Sequence, residues 1–164
     1  MRLFSLIFLT LFGCAGFEPL YIDHKNIRDE LNGIYIITDK TKMSLSIKKG
    51  LLRKLPPINN QINYIIKLET KIENNSTITS TDRKTSGYEI ITKSKVSLYK
   101  RLMDYDEKVL SFEEKSSAVF EFSPNQVLST LASRNRAFQI SADTLSKNIM
   151  DRIIVYFKKN KNDY

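Results

Sequence analysis

The sequence predicts an α+β fold, a two-layer α/β sandwich in which an about four-stranded, mostly antiparallel sheet carries two helices on one face. Two observations predict it. Residues 62–72, 88–102 and 109–122 alternate apolar and polar side chains with a period of two, as antiparallel strands do when one face meets water. Residues 39–55 and the stretch from 124 toward 158 instead repeat apolar residues every three or four, the period of amphipathic helices that need a sheet face to cover.

The chain opens with Met1-Arg2 and then an uncharged, mostly apolar run over residues 3–12, ending in Leu11-Phe12-Gly13-Cys14. A basic start, a short apolar core and a small residue at the cleavage point describe a secretory signal. The run is too short for a transmembrane helix, which needs about 20 apolar residues. Leu-x-Gly-Cys in this position resembles a bacterial lipobox, although Phe12 is bulkier than the usual residue there. In such signals the cysteine thiol receives a diacylglycerol, the chain is cut before it, and the new amino terminus takes a further palmitate-type acyl chain. The expectation is therefore a signal peptide over residues 1–13, a lipid anchor on Cys14, a lipidated segment over 14–33, one domain over 34–159 and a frayed tail over 160–164. A single acyl chain binds a membrane only marginally, whereas two or three hold a domain at its surface.

Gly33 opens Ile34-Tyr35-Ile36-Ile37-Thr38, short, β-branched and aromatic, which reads as a strand. Over residues 39–55 Met43, Ile47, Leu51 and Leu55 recur every four residues with Leu52 beside them, and Asp39 or Thr41 can cap the start. Arg53 and Lys54 suit the carbonyl end, and Pro56-Pro57 stops the helix. Gly50 inside it costs about 1 kcal/mol against Ala, a cost that close approach to the sheet would offset. The first strand and residues 62–72 are separated by this helix, so a parallel pairing through a crossover fits them.

In the three alternating segments Tyr64, Ile66, Leu68 and Ile72, then Tyr88, Ile90, Val96 and Leu98, then Leu110, Phe112, Ala118, Phe120 and Phe122 define the apolar face. Residues 74–87 and 103–108, rich in Asn, Ser, Thr and Asp, are the expected connections. Ser123-Pro124-Asn125-Gln126 reads as a capping box, with Phe122 and Val127 closing a hydrophobic staple around it. The stripe beyond it holds Leu131, Phe138, Ala142, Leu145, Ile149, Ile153 and Tyr156. A continuous helix to Lys158 would be about 50 Å long, so the expectation is a break or a later start near Leu131.

Composition narrows the function. Formal charge is +8, and loss of Arg2 with the signal leaves +7 on 151 residues. A basic exported domain meets phospholipid headgroups, phosphorylated glycolipids or acidic protein surfaces, not nucleic acid. His24 is the only histidine and Cys14 the only cysteine, which leaves no zinc ligand set, no thiol chemistry and no disulfide. No Gly-rich phosphate loop occurs, Glu113 and Glu114 point to opposite faces of a strand, and Asp104 and Asp106 fall in an expected turn. No catalytic residue, metal site or cofactor is expected apart from the covalent lipid.

Cys14-Ala15-Gly16-Phe17-Glu18-Pro19-Leu20-Tyr21 resembles the Cys-Gly-Phe-x-Pro-Leu-Tyr opening of the LPS-assembly lipoproteins of the LptE family, alphaproteobacterial type, with Ala15 as one extra residue. The order strand, helix, three strands, helix agrees with that family. The resemblance implies a non-enzymatic protein anchored to the periplasmic face of the outer membrane. Its partner would be the β-barrel LptD, which it plugs and helps assemble, and the pair would deliver lipopolysaccharide to the outer leaflet. Ala15, where some lipoproteins carry an Asp after the cysteine, is compatible with passage to the outer membrane. An auxiliary lipoprotein of a lipid-transporting ABC system is the alternative, and a periplasmic hydrolase or cell-wall-binding lipoprotein is a third. Beside the resemblance, the basic charge offers contacts for the phosphates of lipopolysaccharide. The candidates are Arg83 and Lys84 in the 74–87 connection and Lys93 and Lys95 on the wet face of the next strand. Each can equally be an ordinary solvated charge.

Overall fold

The computed structural model describes residues 30–58, 61–78, 85–122 and 126–162. The expected signal peptide, Cys14, His24, Arg83, Lys84 and the Ser123-Pro124-Asn125 part of the capping box lie outside the described residues. Strand β1 (Ile34–Thr38) leads into helix α1 (Lys42–Leu52), followed by β2 (Tyr64–Ile78), β3 (Thr85–Arg101), β4 (Asp106–Glu121) and helix α2 (Val127–Asn162). The sheet runs β1-β2-β3-β4, with β1 parallel to β2 and the other neighbours antiparallel. Both helices lie on one face, α1 toward β1 and β2, α2 mainly over β4 with β3 beside it. This is the α+β sandwich that the two periodicities predict.

Each element has a local cause. Gly33, at φ 92°, takes a left-handed turn that non-glycine residues rarely adopt, and its carbonyl accepts the N–H groups of Asn63 and Tyr64 at 2.9 and 3.2 Å. That bond sets β1 beside the start of β2, with Ile34 opposite Tyr64. Thr41 caps α1, accepting the Ser44 N–H at 3.3 Å, while Asp39 turns to the sheet and accepts the Thr70 N–H at 3.4 Å. The α1 face of Met43, Ile47 and Leu51 is buried against Ile34, Ile36, Ile66, Leu68, Val96 and Leu98, and Leu145, Ile149, Ile153 and Phe157 of α2 close the same cluster.

A band of buried hydroxyls divides this cluster from a smaller one of Ile90, Ala118, Phe120 and Ala137. In the band Thr70 meets Ser94 at 3.2 Å, and the Ser141 hydroxyl donates to Thr92 at 3.0 Å. Paired hydroxyls are tolerated in a core because none loses its hydrogen bond. They also keep the side chains short where α2 crosses the sheet.

Several expectations are corrected. Helix α2 has no break: it is one helix of 36 residues, about 54 Å long. The strands beneath it explain the length, since 15 to 17 residues each span about 50 to 56 Å. It includes residues 160–162, expected as tail. Residues 74–78 and 85–87, expected as connection, are paired strand, Asn74 with Ile90 and Thr77 with Gly87. Backbone pairing holds them without an apolar face. Leu131, placed in an apolar stripe, and Leu52, placed beside one, are 46 % and 50 % exposed. Finally, Gly50 meets α2, not the sheet: a Cβ there would lie 2.6 Å from Ser146 Oγ.

Two predictions follow from this packing. Gly50→Val drives a wedge between the helices and should cost about 1–3 kcal/mol, the usual penalty of overpacking. Ser146→Gly should recover part of it in a denaturant double-mutant cycle, and an additive cycle would contradict the contact. Tyr64 donates to Glu30 at 3.3 Å, and burial, with the Glu30 carboxylate, pushes its phenol up to about 12. The folded state then holds a proton that the unfolded chain has lost. Stability should be complete below pH 10 and fall as pH rises toward 12. Ultraviolet titration should show a phenol near 12 that Tyr64→Phe removes.

Candidate functional site

The open face of the sheet was expected to supply phosphate-binding cations, and register decides what those cations do. Successive rows across β2, β3 and β4 are Lys67–Ser97–Ser111, Glu69–Lys95–Glu113, Lys71–Lys93–Lys115 and Glu73–Ile91–Ser117. Lys95 therefore sits between two glutamates. Lys93 sits between two lysines, an arrangement that repels, and escapes diagonally: its Nζ meets both Glu73 carboxylate oxygens at 2.8 and 3.0 Å. That hydrogen bond holds the Glu73 carboxyl below its ordinary value and Lys93 above its own. With Glu89 and Glu121 on the following rows and Lys108 opposite Tyr99, six lysines, Lys67, Lys71, Lys93, Lys95, Lys108 and Lys115, stand against five glutamates, Glu69, Glu73, Glu89, Glu113 and Glu121. The face is polar and close to neutral. Lys93 and Lys95 lie in adjacent rows of this face, Lys93 paired with Glu73 and Lys95 between Glu69 and Glu113.

The unbalanced charge lies in the helix layer. Residues 40–54 contain Lys40, Lys42, Lys48, Lys49, Arg53 and Lys54 and no acid. Helix α2 adds Arg134, Arg136, Lys147, Arg152, Lys158, Lys159 and Lys161 against Asp143 and Asp151. Arg152 pairs with Glu114 and lies over the Phe112 ring, so it serves the packing of α2 on β4. Glu113 and Glu114 do point to opposite faces.

A groove among the described residues is apolar. Tyr88, Phe120, Phe122, Val127 and Leu131, with Asn74, Thr130 and Arg134, line a groove of about 440 Å³ at the end of the sheet far from Tyr64. Its floor is aromatic: Tyr88 stacks on Phe120 at 5.5 Å between centroids and meets Phe122 edge-on at 6.1 Å. The groove exists because α1 and β1 cover only the opposite half of the sheet, so the first turns of α2 overhang. Leu128 is 84 % exposed there. An apolar cleft with one cation on its lining suits an amphiphile with an apolar chain and an anionic head. Sequence reasoning counted Val127, Phe122 and Leu131 as staple and core. The missed signal was three apolar residues at 127, 128 and 131 with no second helix to receive them.

Among the described residues no cluster of His, Cys, Asp and Glu is placed to hold a metal, and no helix is long and apolar enough to cross a membrane.

Charge matching on the open face yields a direct prediction. Lys93→Gln and Lys95→Gln should change binding of an anionic glycolipid by less than about twofold, as exposed paired charges contribute little. A tenfold loss in either, measured by fluorescence titration, would put the anion on the sheet.

No protein-family model and no curated protein matches the chain. Solved structures do match in fold. A candidate lipoprotein from Caulobacter crescentus CB15 superposes with TM-score 0.62 at 12% identity, covering 82% of this chain and 97% of that one. The rare lipoprotein B from Shewanella oneidensis gives 0.60 at 11%, covering 79% and 99%. An uncharacterized lipoprotein B from Nitrosomonas europaea gives 0.60 at 13%, covering 77% and 84%. At these identities the likeness is one of fold.

Proposed function

We propose that this chain is an outer-membrane lipoprotein, anchored through Cys14 on the periplasmic face, that plugs and helps assemble an LptD-type β-barrel and takes part in delivering lipopolysaccharide to the outer leaflet. One coincidence carries the reading. The Cys14–Tyr21 opening resembles that of the LPS-assembly lipoproteins, and the domain behind it has the fold of proteins themselves named as bacterial lipoproteins.

The physical features are those such a role needs. A plug must offer a polar, weakly charged surface to a hydrophilic barrel lumen, and the open sheet face is such a surface. It must stay at the membrane without spanning it, which a multiply acylated Cys14 provides. It must also engage an amphiphile. In this reading the apolar groove takes an acyl chain, and Arg134 takes a phosphate by a charge-assisted bond. Arg83 and Lys84, which lie outside the described residues, are proposed as further phosphate ligands on their sequence and charge alone. Lys93 and Lys95 serve the sheet. The protein works by binding and needs no catalytic residue.

Purification of the tagged full chain from membranes in mild detergent should bring down a large outer-membrane β-barrel in about equal amount. Inner-membrane ABC subunits in its place, or no barrel at all, would overturn the reading. Leu131→Glu, at a half-exposed position, should leave the thermal melt unchanged and weaken lipopolysaccharide binding at least about tenfold, the consequence of placing a charge in an apolar contact. Unchanged binding would remove the groove from the function.

A further inference from the structure

Helix α1 has an outer face that neither the packing nor the proposed plug role uses. Lys42, Leu45, Lys49 and Leu52 follow one another at spacings of three and four, so they form one stripe on the side away from the core. Arg53 and Lys54 follow at the end of the helix and turn toward α2. Leu45 and Leu52 are 52 % and 50 % exposed, and both Leu and cation therefore stand in water along the same line. Lys42 leans over the Phe138 ring at 5.3 Å, and Lys48, beside the stripe, lies over Tyr35 at 5.6 Å. Neither contact neutralises charge. Among the described residues no ion pair involves Lys40, Lys42, Lys48, Lys49, Arg53 or Lys54. From α2 the facing groups are Asp143 and Lys147, which line the groove shared with Arg53 and Lys54 and offset each other.

We propose that the outer face of α1 rests on the anionic headgroup surface of a lipid bilayer. Three observations favour a bilayer over a point anion or a protein wall. The cations spread along the helix and do not converge on a cradle. Exposed leucines alternate with them, and a basic helix with apolar residues among its charges is the pattern that lies in a membrane interface. The placement is also right. Because β1 is parallel to β2, α1 must run back toward the start of both strands, and its basic end reaches the edge of the domain where Glu30 meets Tyr64. Glu30, the first described residue, lies at that edge. The inference does not depend on the barrel, since it concerns the opposite face of the molecule.

The chain contains no tryptophan, so one introduced at position 45 or 52 reports alone. The full chain carrying Leu45→Trp should be reconstituted into vesicles of brominated phosphatidylcholine, with and without brominated phosphatidylglycerol. Electrostatic attraction of the cations predicts quenching about threefold or more stronger in the anionic vesicles, abolished by high salt and by Lys49→Glu with Arg53→Glu. Val119→Trp, on the open sheet face, should show no such difference. Leu52→Trp repeats the measurement if Leu45→Trp perturbs the fold. Equal quenching in both vesicles, or stronger quenching at 119 than at 45, would overturn the proposal. So would protection at 45 that appears only when an acidic outer-membrane protein is added.

Discussion

Strands of 15 to 17 residues leave an apolar face that only a helix of equal length can cover. The rest of the structure follows from that constraint. A single unbroken α2 lies along the sheet, and where it crosses the middle both partners are small: Ala137, Ser141 and Ala142 from the helix, Thr92, Ser94 and Ser116 from the strands. A 36-residue helix has one apolar stripe, too narrow for a four-stranded sheet, so α1 and β1 complete the cover. They reach only the first half, because β1 pairs with residues 64–68 and no further. The uncovered half is the aromatic groove. Its existence is a by-product of how the cover is divided, and its chemistry is what a lipid-handling protein can use.

The second organising fact is the separation of charge. The sheet's open face carries lysines and glutamates that nearly cancel, whereas the helix layer is basic almost throughout. A domain of this kind suits two different surroundings. One is polar and nearly neutral, as the inside of a large barrel is. The other is anionic and extended, as headgroups are. The basic composition alone, spread evenly in thought over the surface, hides this division.

Much of the fold was legible from periodicity. The four strands, the two helices, the Thr41 cap, the parallel first pair and the buried faces of α1 and of the second half of α2 all follow from spacing and turn chemistry. What failed has physical reasons. Residues 74–78 lack an apolar face, so nothing in their pattern separates strand from loop, yet β3 supplies their hydrogen bonds. Leu52 and Leu131 fit a helical period but face water, because the period says which residues align and not how wide the partner is. Gly50 announced a close approach without naming Ser146 as the neighbour. The site was less legible still. Whether Lys93 is available or consumed depends on Glu73 lying diagonally across from it, and register cannot be read from one strand's sequence. Cys14 rests on a wholly local signal and lies outside the described residues.

The central claim is that the two faces meet different partners, polar protein on the sheet and anionic lipid on α1. Photo-crosslinking in intact cells tests it most directly, with one crosslinking side chain placed at Ser117 on the open face and another at Lys49 on α1. The division predicts a protein adduct of barrel size from position 117 and a lipid adduct from position 49. The same adduct from both positions, or the two exchanged, would contradict it.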